Sequence, residues 1–209
     1  MFTCASCTKK SCLLHNQENP PLNCPMQDQD TLSKCKKEYF DKDGGKLYLS
    51  TMETAMEAKD LGETRTLEAI RFAKKNGWKK IGIAHCIGFC NEAAAASKLI
   101  KKAGLECETV VCTNGGINLC DYMSIPTKHL DDVENNYAVG RNPIGQAKYL
   151  EKANTEYNLI FGLCVGHDAL FTKYSHVLTS VIMEKDRCRY RDPISGLFAA
   201  ACENSVEHK

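Results

Sequence analysis

The cysteines nearest the N-terminus have a spacing typical of a metal site. Cys4 and Cys7 form a Cys-x-x-Cys pair, Cys12 follows after four residues, and Cys24 stands directly before Pro25. Four thiolates within so short a stretch can surround one ion, and zinc takes four such ligands in a tetrahedron. Iron–sulfur clusters also take four thiolates, and a proline after the last cysteine occurs in ferredoxin-type sequences. The spacing therefore predicts a site for either zinc or an iron–sulfur cluster.

Two further side chains, His15 and Cys35, are candidate substitute ligands for this site. The alternatives are reduced, unliganded cysteines in a flexible tail, or a structural disulfide framework. The chain holds 13 cysteines in 209 residues, an odd number that internal pairing cannot exhaust. The sequence shows no secretory signal, so we expect a cytoplasmic protein, in which clustered cysteines more often bind metal or do redox chemistry.

A second group of cysteines follows three predicted strands. The apolar segments 80–86, 105–112 and 157–164 end at Cys86, Cys112 and Cys164. Ligands of open α/β sheets bind outside the carboxyl ends of the strands, so we expect these thiols at one edge. Three thiolates there could hold a second metal or a cluster and leave one position open, as catalytic metal sites do. The alternative is that each cysteine is a small buried hydrophobe.

The third strand end carries the richest local sequence, Gly162-Leu-Cys-Val-Gly-His-Asp168. Cys164 is a candidate nucleophile, with His167 as its acid/base partner and Asp168 as the residue that orients the imidazole. The roles of the remaining cysteines are open, and Cys120 or Cys188 could join the edge site. These remaining cysteines are Cys35, Cys90, Cys107, Cys120, Cys188 and Cys202.

The elements that position these residues alternate along the chain. Helical patterns at 64–75, 91–103, 142–153 and 167–174 alternate with the three apolar segments and a fourth predicted strand at 177–183. This order predicts an α/β fold with three layers, in which helices cover both faces of a mostly parallel sheet. Earlier helices are predicted at 31–40 and 50–61, and a last one at 194–202. Residues 41–45, with two glycines, read as a turn or linker.

Two domains follow from this pattern. Residues 1–45 form a predicted cysteine-rich metal-binding module, and residues 46–209 form the α/β domain with the strand-edge Cys/His site. The formal net charge of +1 predicts neither nucleic acid nor membrane as a partner. The expected partner is a small molecule or metal ion, and a homo-oligomer is left open.

Several of these segments together resemble a known family. They are the Cys-x2-Cys-x4-Cys start, Cys24-Pro25, residues 83–86, residues 141–147, residues 162–171 and Lys185-Asp-Arg187. The chain resembles an uncharacterised bacterial and archaeal family of predicted metal-binding proteins, and the resemblance covers nearly its whole length. It implies metal binding and does not indicate a reaction.

The chain departs from that family pattern at two positions. Members often carry a cysteine where this chain has Arg141, and a Cys-Cys pair where it has Val111 and Cys112. If those cysteines are ligands in the relatives, the edge site of this protein is reduced or altered. The arginine would create either a cationic pocket that attracts anions or an inactive site.

Three functions are compatible with the sequence. The first is a zinc or iron–sulfur protein with a second, reactive site at the sheet edge. The second is an enzyme that uses a cysteine or a cluster on a small sulfur-containing or anionic substrate. The third is a non-catalytic metal or redox sensor or delivery protein. Whether the protein is an enzyme is left open by the residues alone.

Overall fold

The computed structural model of the protein describes residues 2–13, 19–119 and 138–187. The chain divides into two compact units, Met1–Glu53 and Thr54–Lys209. None of the described helices is both long enough and apolar enough to cross a membrane.

The first unit contains two short 3₁₀ turns, Cys4–Ser6 and Pro25–Gln27, followed by helix α1, Gln29–Phe40. Helix α1 begins where Asp28 caps it, because the Asp28 carboxylate accepts a hydrogen bond from the backbone N–H of Thr31 at 3.0 Å. A carboxylate at this position satisfies a donor that the helix leaves free, and it complements the positive end of the helix dipole.

The prediction of a linker at residues 41–45 is wrong, because helix α2 spans Lys42–Leu61. The Asp41 carboxylate accepts a hydrogen bond from the backbone N–H of Gly44 at 2.6 Å, so this residue supports the first turn. A Cβ on Gly44 would overlap the carbonyl oxygen of Glu38, and one on Gly45 would press on that of Tyr39. The two glycines therefore permit a close approach of α1 and α2. The predicted domain boundary, between residues 45 and 46, falls within α2.

The second unit is built on a four-stranded sheet. Its strands are β1 (Lys80–His85), β2 (Glu106–Val111), β3 (Tyr157–Phe161) and β4 (Thr179–Met183). They lie in the order β2-β1-β3-β4, and each neighbouring pair is parallel. The described α-helices that lie wholly within this unit are α3 (Arg65–Lys75), α4 (Cys90–Lys102), α5 (Pro143–Lys152) and α6 (Val165–Tyr174). The predicted α/β class with a parallel sheet is confirmed.

Helices cover both faces of this sheet. One apolar cluster joins α3 and α4 to the face that carries Ile81, Ile83 and Leu159. The other joins α5 and α6 to the opposite face, through Ala84 and Ile160. Fully burying one large aliphatic side chain contributes about 1.5–3 kcal/mol, so strands that are apolar on both faces are stable only in such a sandwich.

All four strands are shorter than predicted. Strand β1 ends at His85 rather than at residue 86, and β2 spans Glu106–Val111 rather than 105–112. Strand β3 ends at Phe161 rather than at residue 164, because Gly162 turns the chain with a φ of 60°. Strand β4 begins at Thr179, two residues later than expected. The predicted helix at 194–202, and also His15, Cys120, Cys188 and Cys202, lie outside the described residues.

Candidate active site

The strand order places a crevice between the ends of β1 and β3. The chain runs from β1 outward to β2, and it then returns past β1 to form β3 and β4. In open parallel sheets, ligands bind at the point where the strand order reverses, outside the carboxyl ends of the strands. Cys86 directly follows β1, and Cys164 precedes α6 on the chain that leaves β3.

A cavity of about 220 Å³ opens at this edge, and it is called the edge pocket below. The three strand-end cysteines and His167, all singled out in the sequence, line it together. Two apolar residues, one glycine and three cationic side chains complete the lining. The full set is Cys86, Ile87, Gly88, Cys112, Arg141, Leu163, Cys164, His167, Lys185 and Arg187.

Of the three thiols, Cys86 has the shortest contact with a cationic side chain. The Lys185 ammonium lies 2.7 Å from the Cys86 sulfur, and it also lies 5.8 Å from the centre of the Phe89 ring. Burial opposes ionisation of the thiol, but hydrogen bonds from Lys185 and from the backbone of Gly88 outweigh it. The pKa of Cys86 is therefore lower than that of an ordinary thiol, which favours the nucleophilic thiolate.

Cys112 lies beside Cys86 and has the opposite tendency. Burial raises the pKa of Cys112, and the neighbouring negative charge of Cys86 raises it further. The Cys112 sulfur accepts a hydrogen bond from the backbone N–H of Ile87 at 3.3 Å, and Arg141 partly offsets the rise. Cys86 therefore ionises at a lower pH than Cys112.

Cys164 is half-buried at the N-terminal end of α6. Its sulfur accepts contacts from Arg187 at 3.1 Å and from Lys185 at 3.8 Å. The cations that contact this sulfur thus come from the chain beyond β4. The role of Cys164 as a nucleophile activated by His167 stays a prediction.

The other two residues of the predicted Cys-His-Asp set have different surroundings. Burial, and next the positive charge of Arg141, lower the pKa of His167, which leaves its imidazole neutral at pH 7. Burial, together with Glu184, raises the pKa of Asp168 to about 6. Its Oδ1 atom is buried without a hydrogen-bond partner among the described residues. Asp168 is not one of the described residues that line the edge pocket.

The buried Gln146 side chain on α5 fixes the ends of the first two strands. Its Nε2 donates to the carbonyl oxygen of Val110 at 2.7 Å and to that of His85 at 3.2 Å. The His85 carbonyl lies one residue before Cys86, and the Val110 carbonyl lies two residues before Cys112. Gln146 therefore holds the backbone that carries both thiols.

Arg141 is positioned by the turn that opens α5. Asn142 caps this helix by accepting the N–H of Gly145 at 2.8 Å, and its amide donates to the side chain of Asn114 at 3.1 Å. A Cβ on Gly145 would overlap both asparagine side chains. Asn114 in turn donates to the carbonyl of Val111 at 2.8 Å. This network joins the loop after β2 to the residue that follows Arg141.

In the sequence, Lys185 and Arg187 stand out only in the segments that resemble the family, and no role follows for them. The signal that could have identified them is their position. Both follow β4 at the edge where the other strand ends meet, as the switch-point rule requires.

The four N-terminal cysteines are exposed or half-buried. The amide of Asn23 donates to the hydroxyl of Thr3, so the residues before Cys4 and Cys24 lie side by side. Within residues 2–13, 19–119 and 138–187, no three Cys, His, Asp or Glu side chains are arranged to hold one metal ion. This holds for the N-terminal thiols and for the edge thiols. The donor atoms suit zinc or iron, and metal binding at either group of cysteines stays a prediction.

The remaining described cysteines do not line the edge pocket. Cys107 is buried beneath α4, and burial raises its pKa, as expected for an ordinary core thiol. Cys35 is exposed on α1. Cys90 is exposed at the start of α4, with its sulfur 3.9 Å from Nδ1 of His85.

Fold and site together define an α/β protein with a cysteine-lined, cationic pocket at the switch point of its sheet. The chain belongs to a family described as "Protein of unknown function (DUF1847)", which matches residues 24–182. It is also similar to the uncharacterized protein MJ0455 of Methanocaldococcus jannaschii, with 36% identity over 185 residues. That alignment covers 88% of this chain and 87% of the relative. The predicted membership of an uncharacterised family is confirmed.

Proposed function

We propose that the edge pocket performs thiol chemistry on a small anionic substrate, with the Cys86 thiolate as the nucleophile. The observation that carries this proposal is the 2.7 Å contact between the Lys185 ammonium and the Cys86 sulfur. Cysteine nucleophiles need a partner that stabilises the thiolate, and a cation at this distance supplies it.

The charge of the pocket supports an anionic substrate. Among the described residues that line it, Arg141, Lys185 and Arg187 are cationic and none is acidic. A cleft lined by one sign of charge concentrates ligands of the opposite sign. Arginine also matches the planar oxygens of carboxylates and similar anions. The neutral imidazole of His167 is available in the same pocket to accept a proton.

The proposal is tested with two alkylating reagents of similar size, iodoacetate, which is negatively charged, and iodoacetamide, which is neutral. Peptide mass spectrometry gives the rate at each cysteine separately. We expect the ratio of iodoacetate to iodoacetamide rates at Cys86 to exceed that at exposed Cys90 by about tenfold or more. The Arg187→Met variant should lower the ratio at Cys86 and leave Cys90 unchanged. Equal ratios at the two cysteines in the wild type would refute an anion-binding pocket.

Metal binding by Cys4, Cys7, Cys12 and Cys24 is a separate proposal. Its support is the hydrogen bond between Asn23 and Thr3, which brings the two ends of the cysteine sequence together. No three described side chains are arranged there to hold one ion, so thiols would have to move to surround it. Metal analysis of protein purified without oxygen tests this proposal. We expect stoichiometric zinc or iron in the wild type, and its loss in the Cys4→Ser, Cys24→Ser double variant. Protein without stoichiometric metal would refute it.

A further inference from the structure

We propose that Cys86 and Cys112 form a reversible dithiol–disulfide pair, which exchanges with a small, negatively charged disulfide in the edge pocket. This inference rests on the proposed function, because the same Cys86 thiolate starts the exchange. It adds a second thiol with a defined task, and it names the bond of the substrate on which the pocket acts.

The sheet register makes Cys86 and Cys112 neighbours at the ends of adjacent strands, where a disulfide can join them. His85 and Val111 are partners across the parallel strands β1 and β2, and Cys86 and Cys112 are the next residues on each. The backbone N–H of Cys112 donates to the carbonyl of His85 at 2.8 Å, so the strands are still paired there. Neighbouring strands lie about 4.8 Å apart, within the ~4.4–6.8 Å between Cα atoms that a disulfide spans.

The side chains of the pair also point the same way. Both belong to the apolar cluster on the α5–α6 face of the sheet, and both line the edge pocket. The two side chains are close enough for each to shift the pKa of the other, downward for Cys86 and upward for Cys112. A disulfide between them would therefore need little movement of the backbone, which is the condition for reversible formation.

The surroundings of the two thiols assign their order of reaction. Lys185 contacts Cys86, and its contact with the third thiol, Cys164, is longer at 3.8 Å. Cys112 is 1% exposed, against 7% for Cys86. A substrate can thus reach Cys86 first. Cys112 lies beside Cys86 and is less exposed, so it is placed to react with a sulfur already attached to Cys86, as a resolving thiol does.

The exchange balances without any further reagent. The Cys86 thiolate attacks one sulfur of the substrate disulfide, that S–S bond breaks, and the first half of the substrate leaves as a thiolate. This thiolate takes the proton of the Cys112 thiol and departs as a thiol. The Cys112 thiolate then attacks the Cys86 sulfur and displaces the second half. The substrate is reduced to one thiol and one thiolate, and the thiol–thiolate pair of the protein is oxidised to a disulfide.

The test uses two small disulfides of opposite charge, dithiodiglycolate with two carboxylates and cystamine with two ammonium groups. Reduced protein is mixed with each without oxygen, quenched with acid, alkylated and mapped by mass spectrometry. We expect a Cys86–Cys112 disulfide and two released thiols per chain. Dithiodiglycolate should react about tenfold or more faster than cystamine. The Cys112→Ser variant should keep one half of the reagent on Cys86, and Cys107→Ser should behave as wild type.

Three other results of the peptide mapping of the wild-type protein would contradict the proposal. A Cys86–Cys164 disulfide would overturn it, because the half-exposed Cys164 would then be the resolving thiol. An adduct on Cys86 that persists in the wild type would also overturn it, but the proposed function would stand. If Cys86 gains neither an adduct nor a disulfide, both the pair and the proposed nucleophile are wrong.

Discussion

Replacing Lys185 by methionine isolates the contribution of its ammonium to the Cys86 thiolate. Methionine keeps an unbranched side chain of similar reach, so the packing against Phe89 is largely retained. The charged hydrogen bond of 2.7 Å to the Cys86 sulfur is lost. Hydrogen bonds to charged groups contribute about 1.5–3 kcal/mol, and removing this one lowers the thiolate population at neutral pH roughly 10- to 150-fold.

The expected loss of reaction rate is smaller than the loss of thiolate. A thiol with a higher pKa gives a more nucleophilic thiolate. This gain restores about 0.4–0.5 of the rate lost with the thiolate population, on a logarithmic scale. Because that recovery is incomplete, the net effect is a lower reaction rate. We therefore expect Lys185→Met to slow alkylation of Cys86 by iodoacetamide roughly 4- to 20-fold at pH 7. The neutral reagent removes any effect of anion attraction.

The assay follows the alkylation rate of the Cys86 peptide across a range of pH. The profile of the variant should shift to higher pH, because burial of Cys86 then acts without the opposing ammonium. At alkaline pH, where both proteins are ionised, the variant should react faster than the wild type. Lys173→Met, which removes an exposed lysine on α6 outside the pocket, is the matched control. Identical profiles for Lys185→Met and the wild type would refute the reasoning.

Three further predictions concern the residues that support the pocket. Gly162→Ala should lower the free energy of unfolding by about 1–3 kcal/mol or more in urea titration, because alanine is strained at φ 60° and its Cβ overlaps Phe89; an unchanged midpoint would contradict this. Gln146→Leu should cost about 1–3 kcal/mol in the same titration, since the half-buried Val110 carbonyl loses its donor, whereas a neutral effect would show that water replaces it. Asp168→Asn should stabilise the fold only at higher pH. Burial raises the pKa of Asp168 from 3.8 to about 6, so the wild type is not penalised below pH 3.8 and is fully penalised above about 6. Thermal unfolding at pH 4 and pH 8 checks this, and an equal gain at both would contradict it.

The switch-point rule accounts for what the sequence could predict of the pocket. Three apolar segments ended in cysteine, and parallel strands bring their carboxyl ends to one edge. That rule needs only the order of elements, which hydrophobic period reveals. It therefore predicts that Cys86, Cys112 and Cys164 lie at one edge, where they line the edge pocket.

The difference between the thiols needed three-dimensional information. Which cysteine touches Lys185 depends on the register of β1 against β2 and on the path of the chain after β4. Neither follows from residue spacing. The wrong linker at residues 41–45 has a similar cause, because Gly44 permits close backbone contact as readily as it permits a turn.

The ionisation of Cys86 in the wild-type protein is the most direct test of the central claim. The rate of its alkylation by iodoacetamide, followed by peptide mass spectrometry, gives the apparent pKa of this one thiol. The contact with Lys185 predicts an apparent pKa below the ordinary thiol value of about 8.5. An apparent pKa at or above that value would mean that burial dominates, and Cys86 would then be a core thiol rather than the nucleophile of the edge pocket.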